Sequence, residues 1–279
     1  MKKTINRTLR IQAAAGIILC ALAIKILGAQ NDFVVISCVS DAVAAKTAEL
    51  AGFNAAGQYG LRMEDMMMQI AYQLARRSVV KVVAKDAAGS GIIWKIEDNG
   101  IVIVSNRHLL MKDVEAEVVF YNNESVTARI LGYSQQYDIG FLKIQKEVIT
   151  NKILRDIYEA VPFFYPSETQ SEKSTFAAQF SGIKIIQVGA VLDKKTPNFS
   201  VGTIKGLDFV PLFNTNILET ECFSRAGMSG GGVFDKTGQF VGMISGGAVP
   251  DGSEKKEAEV TYSIPPVLIA SEYEIVTEK

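Results

Sequence analysis

Between residues 64 and 77 apolar side chains return every three to four positions, with Met67, Ile70, Ala71 and Leu74 on one face and charges elsewhere, which is the spacing of an amphipathic helix. From Ser78 the period changes to short β-branched runs at 79–84, 91–96, 101–105, 116–121, 126–132 and 139–144. Turn residues such as Asp98-Asn99-Gly100 and Tyr121-Asn122-Asn123 separate them, and the pattern predicts six strands. Residues 146–181 interrupt it with a helix-like stretch (Val148, Ile149, Ile153, Ile157) and then a polar Ser/Glu/Gln/Lys segment, as a connection does. Apolar runs resume at 183–192, 201–206, 217–222, 232–234, 239–244 and 260–264, with Asp235-Lys236-Thr237-Gly238 as a hairpin turn. Two groups of six strands joined by a connection predict an all-β chain of two six-stranded β-barrels, the first over 78–145 and the second over 182–268.

The amino terminus follows another pattern. Lys2, Lys3, Arg7 and Arg10 precede an unbroken apolar run from Ala13 to Ile24, and the stretch extends over 11–29 if Lys25 reaches back to the interface. Nineteen such residues are enough to span a bilayer. The expectation for 1–29 is an N-terminal membrane segment, either an uncleaved signal anchor or a signal peptide cleaved near Ala21-Leu22-Ala23. The basic flank then stays in the cytoplasm and the rest of the chain lies outside. Residues 30–77 are read as a stalk ending in the short helix.

Composition narrows the chemistry. Lys plus Arg number 29 and Asp plus Glu 30, so there is no basic field of the kind a nucleic-acid binder carries. Three scattered cysteines, Cys20, Cys38 and Cys222, do not make a disulfide framework or a zinc cluster, and the pairing of Cys38 with Cys222 is left open. His108 is the chain's single histidine, so any step that needs imidazole must use it.

Gly227-Met228-Ser229-Gly230-Gly231-Gly232 sets a serine among glycines on a loop before an apolar strand. Such a loop can aim several backbone N–H groups into one small space, as an oxyanion requires. The lysine and following helix of a phosphate loop are missing. The same residues satisfy the G-x-S-x-G elbow of α/β-hydrolases, but that fold places its histidine after the serine and no histidine follows Ser229. The order His, Asp, Ser stays open. His108 stands where the apolar run 101–104 gives way to a loop, and Asp138 begins the otherwise apolar segment 139–144, where an anion needs a partner.

These contexts together resemble trypsin-like serine peptidases of the bacterial HtrA or Deg type. Gly89-Ser90-Gly91-Ile92-Ile93 and Ser105-Asn106-Arg107-His108 resemble the family's G-S-G strand and T-N-x-H turn; Tyr137-Asp138-Ile139-Gly140-Phe141-Leu142-Lys143 resembles its aspartate segment. Ala226 to Asp235 resembles its G-N-S-G-G-P-L-F-D loop, and Tyr262-Ser263-Ile264-Pro265 its terminal Y-A-I-P. The resemblance implies a chymotrypsin-like fold over 78–279 and a catalytic triad of Ser229 as nucleophile, His108 as base and then acid, and Asp138 as its orienting carboxylate. It implies an oxyanion hole from the N–H groups of Gly227 and Ser229, hydrolysis through an acyl-enzyme, and no metal or organic cofactor. The expected partners are protein or peptide substrates outside the cytoplasm, in protein quality control or regulated proteolysis; a non-catalytic binding or scaffold protein on the same fold is the alternative.

Two residues beside the serine depart from the family: Met228 stands for its Asn and Gly232 for its Pro. Phe223, six residues before Ser229, takes the place of the acid that binds basic side chains in the tryptic subclass. The resemblance therefore implies a pocket built by Phe223, Ser245, Gly246 and Gly247, with Ala248 beside them, for small or medium apolar side chains. The 14 residues after Pro265 are too few for a PDZ module. In the family the helix before the first barrel contributes to trimer contacts, so a homotrimer is favoured over a monomer.

Overall fold

Each barrel strand forms where the sequence alternates β-branched residues between turns, and the strands that are apolar on both sides are those buried on both faces. The computed structural model describes residues 63–165, 169–190, 198–248 and 259–278. The membrane segment and stalk expected over 1–62 lie outside them. Among the described residues no helix is long and apolar enough to cross a membrane.

The first barrel comprises β1 (Val79–Val83), β2 (Ala88–Glu97), β3 (Gly100–Ser105), β4 (Glu115–Val119), β5 (Ser125–Tyr133) and β6 (Gly140–Gln145), closed in the order β1, β2, β3, β6, β5, β4. The second comprises β7 (Lys184–Val188), β8 (Phe199–Val210), β9 (Thr215–Glu221), β10 (Gly232–Asp235), β11 (Phe240–Ala248) and β12 (Val260–Ile264), closed in the order β10, β11, β12, β9, β8, β7. Every neighbouring pair is antiparallel. All twelve strands fall on the runs expected from the sequence.

Alternation along β3 explains the layering. Ile101 and Ile103 point into the first barrel with Val80, Val82, Ile93, Leu142 and Ile144, while Val102 and Val104 point outward. The outward set joins Ile92, Trp94 and Phe141 to Ile186, Val188, Phe234, Phe240 and Met243 of the second barrel in one continuous apolar layer. The second barrel has its own interior of Ile185, Ile204, Leu218, Val233, Val241 and Ile244. Full burial of each such side chain contributes about 1.5–3 kcal/mol, so the layer between the barrels is a major source of their cohesion.

Helix α1 (Met63–Ala75) precedes the first barrel at the expected place, but its buried face is turned. Met67 and Ala71 of the expected face are buried together with Met68 and Ala75, whereas Ile70 and Leu74 are 38% and 41% exposed. The i, i+3, i+7 set Met68, Ala71 and Ala75 joins the interbarrel layer. A short helix α2 (Arg107–Leu110) follows β3, and the connection holds a 3₁₀ turn (Lys146–Val148), α3 (Asn151–Asp156) and α4 (Gln170–Phe180). The polar stretch expected as plain connection is helical because Thr169 and Glu172 form a capping box at the start of α4.

A final helix, α5 (Pro266–Thr277), was not expected from the sequence. Pro265 and Pro266 open it with backbone angles suited to a helix start. It leaves the second barrel at β12 and docks on the first: the Tyr273 ring meets Phe141 edge-on at 5.3 Å and its hydroxyl donates to Glu97 Oε1 at 2.9 Å. Lys143, nearly buried, pairs with Glu97 and donates to Asn99 Oδ1 at 2.6 Å. The hydrogen bond from Lys143, aided by that from Tyr273, holds the Glu97 carboxyl below its ordinary pKa despite partial burial.

Tyr273→Ala is expected to lower unfolding free energy by about 3 kcal/mol, the usual cost of removing a buried aromatic ring, whereas truncating Leu212, 83% exposed, changes it by less than about 0.5 kcal/mol. Urea denaturation measures both. Because the folded pKa of Glu97 is depressed, its contribution is present above the unfolded value near 4.5 and fades as pH falls through the folded one.

Candidate active site

The first barrel supplies the imidazole and the carboxylate. β3 ends at Ser105, and buried Asn106 leads into α2, whose Leu109 and Leu110 sink into the barrel and leave His108 facing solvent. Asp138 sits just before β6 on a loop held at several points. Ser134 Oγ accepts from the N–H groups of Gln136 and Tyr137 at 3.0 and 2.9 Å. Arg107 Nη1 donates to the carbonyls of Ser134 and Gln135 at 3.0 and 3.2 Å, and Asn106 Nδ2 to that of Asp138 at 3.1 Å.

The carboxylate is thereby aimed at the histidine. Asp138 Oδ1 accepts the His108 backbone N–H at 2.9 Å, and Oδ2 lies 2.9 Å from His108 Nδ1. A carboxylate at Nδ1 selects the tautomer with the proton there, which frees Nε2 to act as a base. The hydrogen bond to Asp138, with the charge behind it, raises the His108 pKa above 6.5 against the opposing effect of burial. Ser245 Oγ donates to Asp138 Oδ2 at 2.7 Å. The resemblance places Ser245 in a pocket wall; its hydroxyl is bonded to the Asp138 carboxylate, a partner that no spacing signal in the segment would have revealed.

The second barrel supplies the glycine-rich loop, which lies directly against β2. Ser90 N–H donates to the Ser229 carbonyl at 2.8 Å, and Ser90 Oγ donates to the Gly227 carbonyl at 2.6 Å. Gly230 has φ +82°, and a Cβ there would stand 2.0 Å from the Ser90 carbonyl oxygen. No other residue permits that approach. Gly227 also takes a positive φ, +91°. Met228 is buried among the second barrel's interior residues, so the departure from the family pattern gives the loop an apolar anchor.

A Cβ at Gly89 would stand 2.4 Å from Leu109 Cδ1 and 3.0 Å from the Ser229 carbonyl oxygen, so the neighbour of His108 and the backbone of Ser229 meet at one point of β2. His108 and Asp138 are in direct contact, and the backbone of half-buried Ser229 reaches the same point of β2 as Leu109, the residue after His108; among the described residues Ser229 Oγ does not hydrogen-bond His108.

Phe223, Gly246 and Gly247, which the resemblance assigns to a pocket, connect through Thr261, a position the sequence did not single out. Gly246 and Gly247 pair with Tyr262 and Thr261 of β12, and fully buried Thr261 donates to the Cys222 carbonyl at 2.8 Å, next to half-buried Phe223. The Phe223 carbonyl accepts from Ser200 Oγ at 2.7 Å, and its ring lies 6.0 Å from the Arg225 guanidinium carbon. Burial pushes the Cys222 thiol up to about 11, which keeps it protonated. Cys20 and Cys38 lie outside the described residues.

Comparison with known proteins agrees with this fold. The chain is 24% identical over 198 residues to the serine protease Do-like HtrA of Bacillus subtilis (strain 168), covering 64% of this chain and 40% of that protein. It is 22% identical over 179 residues to the serine protease Do-like HtrA of Lactococcus lactis subsp. lactis (strain IL1403), covering 63% and 41%. The chain therefore spans about two fifths of the length of these relatives. Among solved structures, the HtrA-type protease AlgW with tripeptide superposes with a TM-score of 0.58 at 16% identity, covering 73% of this chain and 61% of that one. The serine endoprotease from Yersinia pestis does so at 0.57 and 19%, covering 76% and 67%. At these identities the likeness is one of fold. A match to the trypsin-like peptidase domain over residues 89–243, more than half of the chain and every position from Gly89 through Ser229, places this protein in the trypsin-like peptidase domain family.

Proposed function

We propose that the protein is a serine endopeptidase acting on extracytoplasmic proteins. The observation that carries this is the clamped Asp138–His108 pair, with Nδ1 on the carboxylate, set beside a serine loop tied to the same barrel. In this reading Ser229 Oγ attacks the scissile carbonyl carbon as its proton passes to His108 Nε2. The negative charge that develops on the carbonyl oxygen is taken up by the N–H groups of Gly227 and Ser229. His108 returns the proton to the leaving amine, the C–N bond breaks, and an acyl-enzyme remains on Ser229. Water then attacks that ester with His108 again as base, releasing the acid and restoring the serine. The Asp138 carboxylate, which also accepts from Ser245 Oγ, orients His108 and stabilises the imidazolium formed in each half.

Location and physiological role belong to the same proposal. A basic flank followed by the apolar stretch 11–29 supports an amino-terminal anchor or export signal with the barrels outside the cytoplasm. The similarity to HtrA-type proteases supports work in quality control or regulated proteolysis, as a homotrimer; light scattering of the purified protein checks the assembly.

Fluorophosphonate labels the wild-type serine, and labelling disappears in Ser229→Ala and His108→Ala; absence of labelling in the wild type, with and without unfolded-protein activators, would instead favour a binding protein on the peptidase fold. Asp138→Asn keeps the shape but forces the wrong tautomer and lowers kcat by about 10⁴-fold. Because the pair raises the His108 pKa and catalysis needs neutral Nε2, the acid limb of kcat/KM has its midpoint above 6.5; a midpoint below that value contradicts the pairing. With Phe223 at the pocket and no acid there, a peptide-library profile should favour small or medium apolar residues before the scissile bond. Preference for Lys or Arg would refute this assignment.

A further inference from the structure

Ser90 is fully buried, and its polar atoms meet the serine loop and its surroundings from one point on β2. Its N–H donates to the Ser229 carbonyl and its carbonyl accepts from Ser105 Oγ at 2.6 Å. Its hydroxyl accepts from the Ala190 N–H at 2.8 Å and donates its single proton to the Gly227 carbonyl at 2.6 Å. The peptidase chemistry proposed above uses none of these side-chain bonds.

The Ala190 end of this bridge continues outward. Gly189 N–H donates to the Asn198 carbonyl at 2.8 Å, and Asn198 Nδ2 donates back to the Gly189 carbonyl at 3.1 Å, closing a two-way clasp. Asn198 Oδ1 in turn accepts from the Tyr72 hydroxyl of α1 at 3.0 Å, and the Tyr72 ring packs on Phe199 with centroids 4.5 Å apart. Gly189 also abuts the serine loop directly, for a Cβ there would stand 2.9 Å from Met228 Cα. A continuous set of hydrogen bonds and one backbone contact thus runs from α1 through Asn198, Gly189-Ala190 and Ser90 to Gly227.

We propose that Ser90 is a positioning residue whose hydroxyl, seated between Ala190 N–H and the Gly227 carbonyl and extended to α1 through Asn198 and Tyr72, sets the 223–229 loop in the conformation that forms the oxyanion hole. The proposal rests on the peptidase reading for its kinetic consequence but not for its structural one. Fixing the Gly227 carbonyl fixes the peptide between Gly227 and Met228, while the Ser90 N–H fixes the carbonyl of Ser229. With both ends of the turn held, the N–H groups of Gly227 and Ser229 keep their spacing, and a preorganised pair of donors needs no rearrangement when charge develops. The bridge reaches substrate only through the loop, so its loss falls on the chemical step and spares ground-state binding.

The test compares the full wild-type chain with Ser90→Ala and Tyr72→Phe in two assays. In the first, Ser90→Ala lowers kcat by about 10- to 100-fold, less than or comparable to losing an oxyanion donor outright, with KM within about twofold; affinity for a peptide boronate, which needs the hole, falls by the same factor as kcat/KM. Tyr72→Phe, which deletes one hydroxyl from the far end, lowers kcat by about two- to tenfold. In the second, hydrogen exchange of the 223–229 segment quickens in both variants while β7 to β12 keep their protection. Unchanged kcat and unchanged exchange in a folded Ser90→Ala overturn the proposal, as does exchange that rises evenly through the second barrel. If Ser90→Ala does not fold, Tyr72→Phe decides by the same two readings. A wild type that fails to label with fluorophosphonate removes the peptidase reading, while the exchange comparison still decides the role of Ser90.

Discussion

The backbone contact between the Gly89-Ser90 segment of β2 and the Ser229-Gly230 turn is the constraint on which the site depends. His108 and Asp138 belong to one barrel and Ser229 to the other, so no element holds all three. Their relative position is fixed where two main chains approach more closely than any side chain would permit, with Gly230 on one side and the Ser90 carbonyl on the other. The apolar layer of Val102, Val104, Phe141, Phe234, Phe240 and Met243 supplies the driving force for bringing the barrels together. That force has no direction of its own. The Ser90 N–H to Ser229 carbonyl bond and the Gly230 contact give it a register, to within a fraction of an ångström.

The charges at the site follow from that register. An anion placed half-buried at Asp138 is costly unless its oxygens are matched by donors, and three converge on it: the His108 backbone, the His108 ring and Ser245. One donor comes from the second barrel, so the carboxylate is fully served only when the barrels are docked. The same bond that steadies Asp138 therefore reports on the interface that brings Ser229 close. α5 adds a second tie between the barrels by running from the second onto Glu97 and Phe141 of the first.

Much of this was legible in the sequence because it is written in local periods. The twelve strands follow from alternation and turns, and His108, Asp138 and Ser229 stand out through scarcity, an anion at the start of an apolar run, and a glycine-rich loop. What was not legible depends on three-dimensional neighbours. The face of α1 was legible only in part: Met67 and Ala71 are buried as their spacing implies, but Met68 and Ala75 complete the buried side and Ile70 and Leu74 stay partly exposed, because the choice between neighbouring apolar residues depends on the layer they meet. α5 escaped notice because the strand that precedes it hides the change of period. Ser245 read as pocket lining since nothing in Met243-Ile244-Ser245-Gly246 states which way the hydroxyl turns. Ser90 was legible as part of a family motif but not in its contacts, and Thr261 not at all, since their hydrogen bonds exist only because distant segments meet them.

Met228 illustrates how a departure from a family pattern can be absorbed by packing. An amide at that position would have polar atoms to satisfy, whereas a thioether side chain can enter the second barrel and lie among its apolar interior residues. The loop is then gripped from two sides, by an apolar anchor below and by hydrogen bonds from Ser90 at its flank. The two grips differ in kind. Burial of Met228 resists withdrawal of the loop from the barrel but tolerates rotation of its peptides, since dispersion and hydrophobic burial are insensitive to angle. The hydrogen bonds do the reverse, because they weaken steeply as donor and acceptor lose alignment. The oxyanion site proposed for this loop needs angular control of two N–H groups more than it needs depth, so in that reading the polar grip governs its geometry and the apolar one keeps the loop within its reach.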